Sequence, residues 1–267
     1  MENAKKQTLC SVVSNVEVMP GVHLMWIEAP NIAGSVLPGQ FITVRCGDFT
    51  LRRPFSVHQV SSREIALLFK VTGNGTLWLS QRQKRDRIDI LGPLGKGFSI
   101  EPGAKNLLLL AGGIGIAPLA FLTQYASSRH QMTLIHGAST AAQLYTERCQ
   151  PTAINYQGVQ FIPITEDGSI GKKGMATDIL PDFLDRADQV YACGPADMYK
   201  AMAGMSQRAK QSNLKLRKCQ VSLEVRMGCG FGACYGCTIN TKKGLKQVCR
   251  DGPVFELNDI IWQEVRI

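Results

Sequence analysis

The sequence predicts a multidomain β plus α/β chain. An antiparallel β-barrel is expected over residues 1–102, a Rossmann-like parallel α/β domain over 103–219, and a small cysteine module over 220–267. Three observations predict this order. Short β-rich runs fill the first hundred residues, strands then alternate with helix-compatible stretches, and the end of the chain concentrates glycine and four cysteines.

The first part reads SVVSNVEV, HLMWIEA, FITVRC, FSVHQV, EIALLFKV and RIDILGP, broken at Pro20-Gly21, Pro38-Gly39, Gly73-Asn74-Gly75 and Gly92-Pro93. Several short strands at close spacing imply a barrel or sandwich. TLWLSQRQ, residues 76–83, is its one expected helix. From about Lys105 the period changes. An apolar strand at 106–110 runs into a glycine-rich turn, a helix from Ala117 to Ser127 and the strand MTLIHGA. The strands VQFIPIT and QVYACG follow, the latter trailed by PADMYKAMAGMSQRAK. Such alternation indicates a mostly parallel sheet covered on both faces.

At 267 residues the chain can bury a core without covalent staples. Its nine cysteines are an odd number, and Cys10, Cys46, Cys149, Cys193 and Cys219 are scattered, so reduced thiols are expected. No basic and apolar leader pattern begins the chain, and its longest apolar run, 106–118, is short and glycine-broken; no membrane association and a cytoplasmic protein are expected. The formal charge of +9 falls in short clusters at 82–87 and 208–218 without interleaved aromatics, which argues against nucleic acid. A solvated face, or charge complementarity to an acidic partner, accounts for it.

The tail spaces Cys229, Cys234, Cys237 and Cys249 as C-x4-C-x2-C-x11-C. Plant-type [2Fe-2S] centres use C-x4-C-x2-C followed by a distant fourth cysteine. Gly228, Gly230, Gly232 and Gly236 interleave with the thiols, which suits a loop that wraps tightly and aims N–H groups at sulfur. A four-cysteine zinc site, whose ligands usually come as two close pairs, and a metal-free loop are the alternatives.

Within the first domain, Arg53-Pro54-Phe55-Ser56 precedes GNGTLWLS at 73–80. An arginine can pair with a pyrophosphate, and a glycine turn offers backbone N–H groups to the same anion. Ser56 could then hydrogen-bond a ring nitrogen. Arg52 and Arg53 read equally well as a strand-edge salt-bridge pair. In the second domain, Gly112, Gly113, Gly115, Ala117 and Pro118 follow a strand and open a helix. This is not the strict G-x-G-x-x-G, but small residues again let backbone approach a pyrophosphate. Cys193-Gly194-Pro195, with Met198 one turn on, ends a later strand, where ligands of open parallel sheets bind. A small buried cysteine is the plain alternative for Cys193.

The R-x-F-S then G-x-G-T order resembles the flavin half of the ferredoxin-NADP⁺ reductase superfamily. The full order R-x-F-S, GG-x-G-x-AP, ACGP, CGFGACYGC resembles the electron-transfer subunit of class 1B dihydroorotate dehydrogenase, over essentially the whole chain. Thr165-Glu166-Asp167-Gly168-Ser169, with Gly171 and Gly174, is similar to a T-[ED]-DG-S-x-G-x-x-G stretch of that family. The resemblance implies FAD, one [2Fe-2S] cluster and NAD⁺ as acceptor. It also implies a separate FMN-containing catalytic subunit that oxidises dihydroorotate in pyrimidine synthesis, in a heterotetramer of two of each chain. Carried over residue by residue, it places Arg53 to Ser56, Lys70, Val71, Thr72, Gly75 and Thr76 at FAD, the Gly112–Pro118 loop and Cys193 to Pro195 at the nicotinamide nucleotide, and the four tail cysteines at iron. Other flavin and iron–sulfur NAD(P)H reductase subunits share this architecture, and a zinc-stabilised interaction module is the non-enzymatic alternative. NAD against NADP stays open, because His136 to Thr140 after the second α/β strand lacks an acidic residue and Arg148 is distant. His23, His58, His130 and His136 form no ligand spacing and are expected to be structural or exposed.

Overall fold

The computed structural model describes residues 6–146, 158–208 and 218–265. Arg148, Cys149 and the basic run at 209–217 lie outside the described residues. The N-terminal sheet is built from β1 (Lys6–Met19), β2 (Val22–Glu28), β3 (Phe41–Arg45), β4 (Arg53–Ser56), β5 (Gln59–Val60), β6 (Glu64–Lys70) and β7 (Arg87–Leu94). Its order is β4-β3-β7-β1-β2-β6-β5, all antiparallel, with helix α1 (Pro30–Ala33) over one connection.

The run FSVHQV does not form one strand. It splits into β4 and β5, which stand at opposite ends of the strand order and are joined by Val57 and His58 alone. Val57 donates its N–H to Gln40 O on the β3 side, and His58 donates to Ala66 O in β6. The chain step from β4 to β5 brings the two ends of the strand order together, an arrangement compatible with the expected barrel although no ladder pairs β4 with β5 or β6 among the described residues. Helix α2 (Asn74–Ser80) begins two residues before the expected start, and the Thr76 hydroxyl ties the entering chain to its first turn by accepting the N–H groups of the N-cap Gly73 at 3.1 Å and of Thr72 before it at 2.9 Å.

The second sheet contains β8 (Asn106–Gly112), β9 (Gln131–Ala138), β10 (Val159–Thr165), β11 (Lys172–Lys173), β12 (Gln189–Cys193), β13 (Cys219–Ser222) and, beyond the two-stranded ribbon of β14 (Thr238–Thr241) and β15 (Gly244–Gln247), β16 (Val254–Glu256). Its order is β11-β10-β9-β8-β12-β13-β16. The first six run parallel, and β16 adds antiparallel at the edge. The division expected at 219/220 therefore falls inside β13, and the tail shares the α/β sheet. Helices α3 (Ile116–Ala126), α4 (Ala176–Ile179), α5 (Pro181–Leu184) and α6 (Ala196–Arg208) cover the faces, and α7 (Val248–Asp251) carries Cys249.

Alternation along the strands divides the interior into three cores. In β6, Ile65, Leu67 and Phe69 fill the barrel, while Ala66 and Leu68 face the α/β domain. In β8, Leu107 and Leu109 share that interdomain core, and Leu108 and Leu110 face the opposite layer. Strands covered on both faces lack polar alternation, hence EIALLFK and NLLLLAG. Helix α3 is apolar nearly all round because it is sandwiched: Leu119, Ala120 and Leu122 pack toward the sheet, and Phe121 enters the barrel core. No helix among the described residues is long and apolar enough to cross a membrane.

Candidate functional site

The sequence-singled residues converge on three neighbouring places. The first lies where β4 meets the turn before α2. Arg52 and Arg53 part company there. Arg52 binds Asp89 at 2.7 Å, half-buried, whereas Arg53 donates to Leu51 O at 2.6 Å, lies over the Phe49 ring and has no carboxylate partner among the described residues. The fold carries Gly75 against Arg53, and a Cβ on Gly75 would stand 2.9 Å from Arg53 Nε. An unpaired guanidinium is thus held beside a glycine turn. Lys70 ends β6, Val71 donates to Gly21 O, and Thr72 enters the same turn.

The second place is the carboxyl edge of the parallel sheet. After β8, Gly112 leads into a 3-10 turn at Gly113–Gly115 and then α3, with Pro118 in the first helical turn. Gly113 takes φ +53° with open space where a Cβ would project, a cradle that a nucleotide phosphate would fill. Gly115 is wedged against the loop after β12, its Cβ position against Cys193 O, and a Cβ on Gly112 would stand 2.7 Å from Pro195 Cδ. The GG-x-G-x-AP and C-G-P motifs are therefore one surface. Burial pushes the Cys193 thiol up to about 12, so it stays protonated, a packing group rather than a nucleophile.

His58 and His136 hold this surface to its surroundings. The His58 ring lies 3.1 Å from both Ala117 O and the Tyr145 hydroxyl, so the residue two places after Ser56 bridges to the second motif. His136 Nε2 lies 3.0 Å from Gly113 O. Burial lowers both imidazoles to about 4. Unfolded, each takes a proton near 6.5, so the unfolded state binds more protons between about 6.5 and 4. Their contribution is complete above that window and is lost as pH falls through it. Unfolding free energies from urea denaturation are expected to decline from pH 6.5 to 5, by up to about 1.4 kcal/mol per pH unit for each histidine, and His136→Asn should remove one proton from that slope.

The third place is the cysteine loop. Gly230 and Gly232 adopt φ +79° and +95°, and Tyr235 is left-handed as well at +60°. The loop turns its N–H groups onto sulfur: Ala233 and Cys234 donate to Cys229 Sγ at 3.2 and 3.4 Å, Cys229 to Cys234 Sγ at 3.4 Å, and Cys249 to Cys237 Sγ at 3.4 Å. Burial opposes ionisation of Cys229, yet the N–H groups of Phe231, Cys234 and Ala233 bring its thiol down to about 6. Burial and the Cys237 neighbour push Cys249 up to about 12. The thiols thus contact in two pairs, Cys229 with Cys234 and Cys237 with Cys249. Among the described residues no three metal-ligating side chains gather about one ion, whereas a binuclear centre needs two sulfurs on each metal.

One barrel strand separates this loop from the first place. In β3, Phe41 pairs with Ser56 and Val44 with Arg53, while on the other side a Cβ on Gly230 would stand 2.8 Å from the Thr43 methyl. The buried Thr43 hydroxyl has no partner among the described residues and is free for a group held there.

Two parts of the chain match known protein families. Residues 224–261 match the iron-sulfur cluster binding domain of dihydroorotate dehydrogenase B, and residues 109–204 match the oxidoreductase NAD-binding domain. The dihydroorotate dehydrogenase B (NAD(+)) electron transfer subunit of Desulforamulus reducens is 39% identical over 92% of this chain and 95% of its own length. That of Listeria monocytogenes serotype 4a is 36% identical over 95% and 98%. Among solved structures, the NADH-dependent reduced ferredoxin-NADP oxidoreductase superposes with a TM-score of 0.82 at 27% identity, covering 96% of this chain and 91% of that one. A ferredoxin NADP⁺ reductase from Neisseria gonorrhoeae shares the fold at a TM-score of 0.64 and 18% identity, over 76% and 91%.

Proposed function

Because the chain belongs to the family of dihydroorotate dehydrogenase B electron-transfer subunits, we propose that it links an FMN-containing catalytic partner to NAD⁺, in a cytoplasmic assembly of two of each chain. It is an oxidoreductase subunit with an NAD-binding domain, an iron–sulfur domain and a flavin-reductase fold. When bound, FAD converts between one- and two-electron transfer and the [2Fe-2S] cluster carries single electrons.

The residues divide that work. Arg53, Pro54, Phe55 and Ser56 from β4, with Lys70 to Thr72 and Gly75 and Thr76 from the turn before α2, hold the FAD. Arg53 supplies the positive charge, and Gly75 makes room for it. Gly112 to Pro118 accept the pyrophosphate of the nicotinamide nucleotide on backbone N–H groups, and Cys193 to Pro195 form the wall beside its nicotinamide end. Cys229 and Cys234 hold one iron and Cys237 and Cys249 the other, with the loop N–H groups stabilising anionic sulfur. In these terms the chain divides near residues 102 and 219 into flavin, nucleotide and cluster parts.

The observation that supports this reading most is that the three groups of residues lie side by side, linked by β3 and by the His58 bridge. Anaerobic titration of the purified chain with NADH, followed by flavin absorbance and EPR, should bleach the flavin and then produce a reduced-cluster signal. A folded protein that contains neither flavin nor iron would overturn the assignment.

The two arginines separate function from stability. Arg53→Ala should weaken FAD retention at least about tenfold, the worth of one charge-assisted pair, with an unchanged melting temperature. Arg52→Ala should keep FAD and lose about 1 kcal/mol of stability with its Asp89 partner. Flavin content after dialysis and thermal denaturation check both.

A further inference from the structure

The carboxyl edge of the parallel sheet has an order that the nucleotide must follow. The C-G-P wall stands on β12, the glycine loop on β8, and β9 and β10 continue the edge away from the wall. With the nicotinamide half at the wall, the adenosine half runs from the loop over the ends of β9 and β10. The register puts these ends level: Gly112 pairs with Gly137 in β9, and Ala138 pairs with Thr165 in β10. At strand spacings of roughly 4.8 Å, the end of β10 lies about 10 Å along the edge from the loop, within reach of an adenosine ribose.

A dinucleotide fold that binds NAD usually places a carboxylate there, at the end of its second strand, about 20 residues after the glycine motif, to accept from the ribose 2′-hydroxyl. Here the second strand ends at Ala138, and the residue that follows it is Ser139. The carboxylate comes instead from the neighbouring strand: Ser139 Oγ donates to Glu166 Oε1 at 2.8 Å. Backbone bonds fix the two chain ends together, Glu166 N–H to Ala138 O at 3.1 Å and Asp167 N–H to Ser139 O at 3.2 Å. The adjacent Asp167 is committed elsewhere. Its carboxylate accepts the Ser169 N–H and hydroxyl at 2.9 and 2.6 Å, and Ser169 Oγ in turn accepts the Ala141 N–H. Glu166 is exposed, and its second oxygen has no hydrogen-bond partner among the described residues.

We propose that Glu166, oriented by Ser139, selects NAD(H) over NADP(H) by accepting a hydrogen bond from the adenosine ribose hydroxyl and repelling a 2′-phosphate. The selection rests on the placement of the pyrophosphate at Gly112–Pro118 proposed above. Lys172 and Lys173 form β11 beside the end of β10, and Lys173 lies along the same turn, its Cβ 3.1 Å from where a Cβ on Gly168 would stand. Neutralising Glu166 leaves these lysines to attract a phosphate.

The test is calorimetric binding of ADP-ribose and 2′-phospho-ADP-ribose to the flavin- and cluster-loaded chain, for wild type, Glu166→Gln and Ser139→Ala. Wild type should prefer ADP-ribose. Glu166→Gln should narrow the ratio by roughly tenfold or more, mainly through tighter 2′-phospho-ADP-ribose binding, since one charge-assisted bond and one repulsion are removed together. Ser139→Ala should narrow it less, because the carboxylate remains but loses its orientation. Glu166 is exposed and Gln keeps the Ser139 contact, so unchanged flavin and cluster spectra will confirm folding. Equal binding of the two ligands by wild type, or a ratio unmoved in Glu166→Gln, overturns the selection while the nucleotide site stands. Failure of wild type to bind either ligand overturns the site and the selection with it.

Discussion

Cys234→Ser is expected to abolish the cluster's visible absorption and EPR signal, and with them electron exchange with the catalytic partner. Cys234 is the exposed member of the four thiols, so its loss does not open a cavity, unlike loss of the buried Cys237 or Cys249. Its sulfur also accepts the Cys229 N–H. Changing groups that only support a metal ligand typically costs 10- to 100-fold in affinity or activity, so losing a ligand should cost at least about 100-fold in dihydroorotate-dependent NAD⁺ reduction. NADH oxidation by artificial acceptors, which needs only the flavin and nucleotide places, should fall far less. Parallel loss of both activities would mean that the loop is a structural element of the whole chain, and the cluster assignment would have to be abandoned.

Gly115→Ala is the second large effect. The new methyl would meet backbone on every near side: the Cys193 carbonyl carbon and oxygen, and Gly194 N at 2.8 Å. No side chain can swing aside. Overpacking of this kind costs roughly 1–3 kcal/mol, and the displaced turn should weaken NADH binding by about 100-fold, the scale of a 1 Å misplacement. Gly113→Ala provides the contrast. It meets no protein atom, so its stability cost is only the left-handed backbone, about 1–2 kcal/mol, and a loss of NADH affinity there reports the ligand's own approach. Urea denaturation and NADH binding by fluorescence separate the two effects.

Local chemistry made much of this molecule legible from its residues. The cysteine spacing and interleaved glycines foretold a loop that directs N–H groups at sulfur, and the structure contains those bonds. The change of period near Lys105 located the boundary between sheets, since strands covered on both faces cannot alternate in polarity. The missing parts depend on contacts between distant segments. FSVHQV looks like a continuous strand because its β propensity is unbroken; only the pairing of Val57 with Gln40 and of His58 with Ala66 reveals a step between sheet ends. Arg52 and Arg53 are indistinguishable in sequence until Asp89 claims one of them. His58 and His136 gave no ligand spacing, and their roles as buried, neutral connectors follow from Ala117, Tyr145 and Gly113, which lie far along the chain. The T-[ED]-DG-S stretch contains the acidic residue Glu166, but its place beside Ser139 at the end of the neighbouring strand follows only from the sheet order.

The return of β16 to the edge of the α/β sheet bears on how this protein can be inherited or engineered. The cysteine loop is bounded by β13 on one side and β16 on the other, and Ser222 at the end of β13 accepts the Tyr199 hydroxyl while Trp262, beyond β16, stacks on the Tyr199 ring. A chain cut after Cys219 would lose that acceptor, that stacking partner and the outer strands together. The iron-binding segment is therefore no detachable cassette that could be grafted onto another reductase or shed by a shortened gene. Two-part expression of this chain, divided after Cys219, should yield insoluble fragments.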